Sequence, residues 1–262
     1  MGMKKRNEIK VLKALAVEAG QAIMKVYQTD FAVGRKADDS PLTLADKTAN
    51  EIIITGLRQS FPEYAILSEE SRDDLSRLQN EYCFIVDPLD GTKGFIQRNG
   101  QFTVNIALVC RQRPVMGIIY VPVSGQLYFA GRGIGARMEI AGSGQSVRLR
   151  VSDRIDRLVV VGSRSHSSDQ EADLMDRHRH LIAETITAGS SLKGCMVAEG
   201  KADVYYRFGP TCEWDTAAMQ CLVEAAGGIF RQMDGSEMLY NRTNTLNDKG
   251  FFIVNRVENI WV

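Results

Sequence analysis

The run Phe84-Ile85-Val86-Asp87-Pro88-Leu89-Asp90-Gly91-Thr92-Lys93 sets two carboxylates three positions apart, between an apolar segment and a glycine. The apolar residues read as a short buried strand. Proline cannot donate to a ladder, so the pattern predicts a strand that ends at Asp87. Asp87 and Asp90 then share a tight bend. Gly91 permits positive φ, which lets neighbouring N–H groups and the Thr92 hydroxyl converge on a point suited to an anion. Two carboxylates beside an anion repel it unless cations lie between them. Hard oxygen donors with room for water and phosphate suit Mg²⁺. Asp-Pro and Asp-Gly are also common turn dipeptides. Taken alone, the stretch leaves a plain turn and a magnesium–phosphate site both open.

Further acidic residues need elements to bring them in. Thr43 and Asp46 read as a helix start, where an acidic side chain in the first turn is favourable in itself. Tyr64–Ser68 reads as a strand running into Glu69-Glu70, a pair that alone would only open an acidic turn before Arg72 and Asp73. Asp215 follows Trp214 at the start of a helix, where Asp serves as an N-cap. Capping uses one carboxylate oxygen and leaves the other for a cation. Arg207 alone reads as half of a surface ion pair. His178 and His180 lie in Arg-His-Arg-His on a polar helix face and should meet solvent.

Elements follow from periodicity. Leu12, Leu15, Ala16, Ala19, Ile23 and Val26 give residues 8–27 an amphipathic helical stripe. A polar loop is expected over 34–41, then a helix carrying Ala49, Ile52, Ile53 and Leu57. Phe102–Cys110, Val115–Tyr120 and Gln126–Ala130 read as antiparallel strands, because their connections are too short for helical crossovers. Gly131-Arg132-Gly133-Ile134-Gly135-Ala136 fits a dinucleotide fingerprint, but Ala141-Gly142-Ser143-Gly144 follows in place of the required helix, so a hairpin turn is expected. Near residue 152 the pattern changes. Leu158–Val161 reads as a strand, followed by a helix to about residue 182 and a short strand. A helix including Met196-Val197-Ala198, a strand at Asp203–Tyr206 and a helix at Asp215–Ala226 complete the alternation. The expected division is an N-terminal α+β domain, 1–151, with most acidic ligands, and a C-terminal α/β domain, 152–262, with Asp215.

Composition narrows the class. The 262 residues carry 32 Lys plus Arg against 32 Asp plus Glu, so nothing suggests nucleic acid as a partner. The five cysteines are scattered and show no CxxC pair, which fits a reducing, cytoplasmic setting. No apolar run approaches the ~18 residues that span a bilayer. Lys4, Lys5 and Arg6 lack an apolar signal core behind them. They leave open a peripheral contact with the cytoplasmic face of the inner membrane. A homodimer also stays open.

Glu69-Glu70, Asp87-Pro88-Leu89-Asp90-Gly91-Thr92 and Trp214-Asp215, in this order and spacing, resemble the magnesium-dependent, lithium-sensitive phosphatases of the inositol monophosphatase superfamily. The resemblance covers nearly the whole chain, including the region of Lys36 and Asp46. It implies a layered αβαβα sandwich, α/β overall with an α+β N-terminal half. It also implies Mg²⁺, two or three ions. Glu69, Asp87 and the Leu89 carbonyl would hold a first ion, and Asp87, Asp90 and Asp215 a second. Asp46 and Thr92 would orient and deprotonate the attacking water, with Glu69 also catalytic. A two-cation clamp can neutralise phosphoryl charge and activate water near neutral pH.

Ser163-Arg164-Ser165-His166, Gly189-Ser190-Ser191-Leu192-Lys193 and Tyr206-Arg207-Phe208-Gly209-Pro210-Thr211 are similar to the 3′(2′),5′-bisphosphate nucleotidase branch. That implies hydrolysis of 3′-phosphoadenosine 5′-phosphate to AMP and phosphate, linked to sulfate assimilation. His166, Ser190, Lys193 and Arg207 would contact the nucleotide, and Glu69, Leu89, Asp90, Gly91, Thr92 and Asp215 would line the phosphate site. A cation at Arg207 suits a second phosphate. Two positions depart from the branch, Gly94 where Glu is usual and Met219 where Gly is usual. The rivals are an inositol monophosphatase, a sugar bisphosphatase and a non-catalytic nucleotide or metal sensor.

Overall fold

The computed structural model describes residues 2–29, 41–131, 133–163 and 168–262. The chain opens with α1 (Gly2–Tyr27) and α2 (Pro41–Ser60). The helical stripe is buried as its spacing requires, with Leu12, Ala16, Ala19, Ile23, Ala49, Ile53 and Leu57 all closed to solvent. Each buried Leu or Ile contributes about 1.5–3 kcal/mol of transfer free energy. Helix α2 begins at Pro41, so Asp46 lies inside it and not at its start. The loop expected at 34–41 falls almost wholly outside the described residues, as does Lys36.

Strands β1 (Ala65–Ser68) and β2 (Tyr82–Asp90) follow, then a short helix α3 (Thr92–Ile96). Next come β3 (Thr103–Cys110), β4 (Arg113–Val121), β5 (Gln126–Gly131), β6 (Gly135–Ile140) and β7 (Ser146–Arg148). These seven strands form one sheet in chain order, antiparallel except for the parallel β1–β2 pair. The glycine-rich segment is the β5–β6 hairpin, as its context predicted, and Arg132 within it lies outside the described residues.

The second half contains β8 (Leu158–Ser163), α4 (Asp169–Arg177), β9 (Ile182–Ala188), α5 (Leu192–Ala198) and β10 (Val204–Arg207). It continues with β11 (Thr211–Cys212), α6 (Glu213–Ala225), β12 (Ile229–Gln232), β13 (Leu246–Asn247) and β14 (Phe251–Val254). Five strands form a second sheet in the order β12-β14-β10-β8-β9, and β11 pairs with β13. Helix α4 ends at Arg177, short of the expected 182, because residues 182–188 are needed as the edge strand beside β8. His178, expected in solvent, is half-buried and stacks on Trp261 with ring centroids 4.5 Å apart.

Alternation along the strands explains the layers. In β3, Val104, Ile106 and Leu108 join the core under α1 and α2, while Ala107 and Val109 join the core around α6. Helices α5 and α6 pack between the two sheets, and Leu174 of α4 covers the far face of the second. The result is the five-layer αβαβα order. Helix α6 touches both sheets, so this middle layer belongs to both halves of the chain.

Candidate active site

Strands β1 and β2 run parallel, with Ser68 opposite Val86, so the residues after them leave the sheet at the same end. Glu69 is thereby set beside Asp87, and its N–H donates to the Val86 carbonyl at 3.2 Å. The strand does not stop at Asp87 as Pro88 suggested. It continues to Asp90 through an irregularity in which Asp87 faces Asn105 and Asp90 faces Thr103. Three steps on β2 thus match two on β3. In a regular strand, residues three apart point to opposite faces. The extra residue of the bulge turns Asp90 back to the face of Asp87, and Pro88 sits where the ladder needs no donor.

That face looks toward α6, whose first turn carries Asp215. Its N-cap is Cys212, so Asp215 is the third helical residue and not the cap expected from its position. Its Oδ2 accepts from the Cys212 N–H at 2.5 Å, which ties the carboxylate to the helix start. Asp87, Asp90 and Asp215 each offer an oxygen, and these three oxygens lie within 4.8 Å of one another.

Burial raises the proton affinity of Asp87 strongly, and the charges of Glu69, Asp90, Asp215 and Asp46 raise it further. Asp215 is pushed up to about 7, first by burial and then by Asp90, against the lowering effect of the Cys212 N–H bond. An all-oxygen cluster whose members oppose each other's ionisation fits hard divalent cations such as Mg²⁺.

A cavity of about 360 Å³ opens on this cluster, lined by Glu69, Asp87, Leu89, Asp90, Gly91, Thr92, Ser190, Lys193, Arg207 and Asp215 among others. Nine of the ten residues expected to bind substrate therefore meet in one place. The tenth, His166, lies outside the described residues. Asp46 does not line the cavity. It is buried at 2% exposure on α2, which packs against the helix that Thr92 begins.

Gly91 takes the expected left-handed conformation, φ +91°, and a Cβ there would lie 2.7 Å from the Gln101 carbonyl oxygen. The same lining carries basic side chains. Lys193 is almost fully buried, donates to the Ser190 carbonyl at 2.6 Å, and is pulled down to about 8 by burial while Asp90 and Asp215 oppose the fall. Arg207 leaves β10 toward the same space and reaches the Pro210 carbonyl at 3.4 Å.

Both departures from the family pattern have a steric reason. A Cβ on Gly94 would meet the Gln101 carbonyl oxygen at 2.4 Å, so this backbone has no room for Glu. Met219 is 3% exposed and fills the space over Gly194, where a Cβ would lie 2.1 Å from its Cγ. Gly194 and Met219 form a matched pair between α5 and α6.

Thr103, Asn105 and Ser191 were not singled out by sequence. Asp90 Oδ2 lies 3.2 Å from Asn105 Nδ2, 2.8 Å from the Ser191 N–H, 3.0 Å from Ser191 Oγ and 3.3 Å from Thr103 Oγ1. A signal existed, since Thr103 and Asn105 are polar residues on alternate positions of an otherwise apolar strand. Their contact with residue 191 has no local trace.

The profile of the inositol monophosphatase family matches residues 4–258. The chain is 42% identical over 240 residues to the 3′(2′),5′-bisphosphate nucleotidase CysQ of Salmonella typhimurium, covering 90% of this chain and 95% of that one. The crystal structure of CysQ from Bacteroides thetaiotaomicron, described as a bacterial member of the family, superposes with a TM-score of 0.84 at 40% identity, covering 94% and 97% of the two chains. The extragenic suppressor protein suhB of Bartonella henselae superposes with a TM-score of 0.77 at 26% identity, covering 95% and 94%. The motif order, the five layers and the acidic cluster thus agree with a match along nearly the whole length, and the chain belongs to the inositol monophosphatase family.

Proposed function

We propose that this protein is a Mg²⁺-dependent 3′(2′),5′-bisphosphate nucleotidase. It would hydrolyse the 3′-phosphate of 3′-phosphoadenosine 5′-phosphate to AMP and phosphate, in connection with sulfate assimilation. The observation that carries this reading is one cavity lined by three carboxylates that offer oxygens within 4.8 Å of one another. Lys193 and Arg207 line the same cavity. An acidic cluster alone would repel a phosphate ester. With cations on the acids, the two basic side chains are placed to take a second phosphate. The names of the CysQ relatives agree with that substrate class.

Glu69, Asp87, Asp215, Asp90 and the Leu89 carbonyl would hold the metal. When bound, magnesium supplies charge neutralisation at the phosphoryl oxygens and acidifies water. The remaining work is positional. Thr92 orients the attacking water by hydrogen bond and passes its proton toward Asp46, which α2 holds out of bulk solvent. The water oxygen bonds to phosphorus as the bond to the 3′ oxygen breaks. The leaving 3′ oxygen takes a proton from solvent water, and Asp46 returns the proton it received to solvent, so that the step balances. Ser190, Lys193 and Arg207 hold the nucleotide, with His166 as a further contact. The halves 1–151 and 152–262 would both contribute to the cavity, the first with Glu69, Asp87 and Asp90 and the second with Lys193, Arg207 and Asp215.

Among the described residues, no helix is long and apolar enough to cross a membrane. A cytoplasmic setting agrees with five free cysteines, of which Cys83 and Cys221 are raised to about 12, chiefly by burial, and so are unreactive.

The test is phosphate release from 3′-phosphoadenosine 5′-phosphate, inositol 1-phosphate and fructose 1,6-bisphosphate, with Mg²⁺ and with EDTA, and with lithium as inhibitor. Metal-dependent turnover of the adenosine bisphosphate above the other two is expected. Preference for either of the others would overturn the substrate assignment, and tight nucleotide binding without turnover would make the protein a sensor.

A further inference from the structure

Among the described residues, the hydrogen bonds to Asp90 all fall on Oδ2. The order of donors can be worked out from proton supply. Thr103 has one hydroxyl proton and three oxygens in reach: Asn105 Oδ1 at 2.9 Å, Asp90 Oδ2 at 3.3 Å and Ser190 Oγ at 2.7 Å. The arrangement that wastes no donor has Ser190 Oγ–H donating to Thr103 and Thr103 donating to Asn105 Oδ1. That sets the Asn105 amide with its nitrogen toward Asp90 Oδ2, at 3.2 Å, and toward Ser191 Oγ, at 3.0 Å. The reversed amide would aim an oxygen at a carboxylate. Ser191 then gives both its N–H and its hydroxyl proton to Asp90 Oδ2, at 2.8 and 3.0 Å. Three donors saturate that oxygen and leave Oδ1 as the one available to a cation.

Thr103, Asn105 and Ser191 are at most 1% exposed, so water does not compete for these bonds. Ser190 holds the left-handed conformation, φ +54°, unusual for a residue with a Cβ, and this turns the chain so that Ser191 N–H meets Asp90. Ser191 Oγ also lies 3.4 Å from the Asp215 carbonyl oxygen. One hydroxyl from the segment before α5 therefore touches residues of both β2 and α6.

We propose that Thr103, Asn105 and Ser191 are positioning residues that orient Asp90 for divalent metal, and that they make metal affinity depend on the seating of the 189–191 segment against β3. The inference rests on the metal-ligand role proposed above for Asp90. Partners of ligating groups that fix their orientation affect metal affinity by about 10–100-fold when removed.

The experiment is calorimetric titration of Mg²⁺ into the full-length protein without substrate. Asn105→Ala and Ser191→Ala should weaken binding about 10–100-fold, while the unfolding midpoint of the metal-free protein stays near that of the parent. Ser191→Thr, which keeps the hydroxyl, should restore affinity. Thr103→Val preserves shape and should weaken binding in the same direction, which keeps the inference testable if Asn105→Ala does not fold. Asp90→Asn is the reference. If it binds Mg²⁺ like the parent, the ligand assignment fails. If Asp90→Asn loses binding while the other variants keep parental affinity, the positioning role is overturned. It is overturned too if affinity falls only in step with metal-free stability.

Discussion

Asp87 and Asp90 stand three residues apart and meet different neighbours. Asp87 is 1% exposed, and its Oδ1 accepts from the Leu89 N–H at 3.1 Å. The four carboxylates around it raise its proton affinity beyond what burial does. Asp90 is more open and is held by neutral donors from β3 and from residue 191. Asp90→Asn preserves shape and can still meet most of those neighbours, so the folded state should persist. On the proposed role it removes a charge beside the reacting phosphate, and kcat should fall by at least ~10²-fold, the scale of a lost electrostatic stabiliser. Steady-state phosphate release together with circular dichroism checks this, and a retained rate would sink the assignment.

Between elements, two contacts join the segments that carry the acidic cluster. The first is Arg77, 3% exposed in the 3-10 turn Ser76–Gln79 that lies between Glu69-Glu70 and β2. It pairs with Asp73 at 2.8 Å and reaches Asn241 Oδ1 at 2.7 Å and the Arg242 carbonyl at 2.8 Å. Glu213, at the start of α6, accepts from the N–H groups of Asn241 and Arg242 at 2.6 and 2.9 Å. The loop that follows Glu69 is thus joined to the helix that presents Asp215. Arg77→Ala should cost about 1.5–3 kcal/mol, the range for hydrogen bonds to charged groups, read as a lowered urea midpoint. The second is Met219 over Gly194. Gly194→Ala should destabilise by about 1–3 kcal/mol through overpacking. Adding Met219→Ala should recover part of that loss, and an additive double mutant would show that the two positions do not interact.

Across the molecule, the acidic cluster couples stability to pH and, on the proposed metal role, to divalent cation. Asp87 and Asp215 both bind protons more tightly folded than unfolded, since both are raised above the ordinary 3.8. In metal-free protein their contribution is present below that value and is lost as pH rises through about 7, where Asp215 titrates when folded. On the proposed ligand role, magnesium would bind the deprotonated cluster and stabilise only the folded state. The rise in unfolding midpoint from a fixed excess of Mg²⁺ should therefore be larger at pH 8 than at pH 5. Thermal scans in matched buffers measure it, and equal shifts at both values would count against the cluster as the metal site.

By itself, the sequence determined which chemical groups are present and in what order. The helical stripe of α1 and the glycine turn at 91 were legible because residue type and short-range spacing are local properties, whereas Glu69, the Asp87–Thr92 run and Asp215 were joined as one set only through their resemblance to a known family. Tertiary structure decided which way those groups point. The period of β2 puts Asp87 and Asp90 on opposite faces, and only pairing with β3 shows the bulge that reunites them. Asn105 and Ser191 are 86 positions apart in sequence yet share a hydrogen bond. Gly94 and Met219 look like exceptions until the Gln101 carbonyl and Gly194 are seen against them. Periodicity reports the face a residue takes within its own element. Contacts between elements depend on how the layers stack, and the local pattern does not encode that.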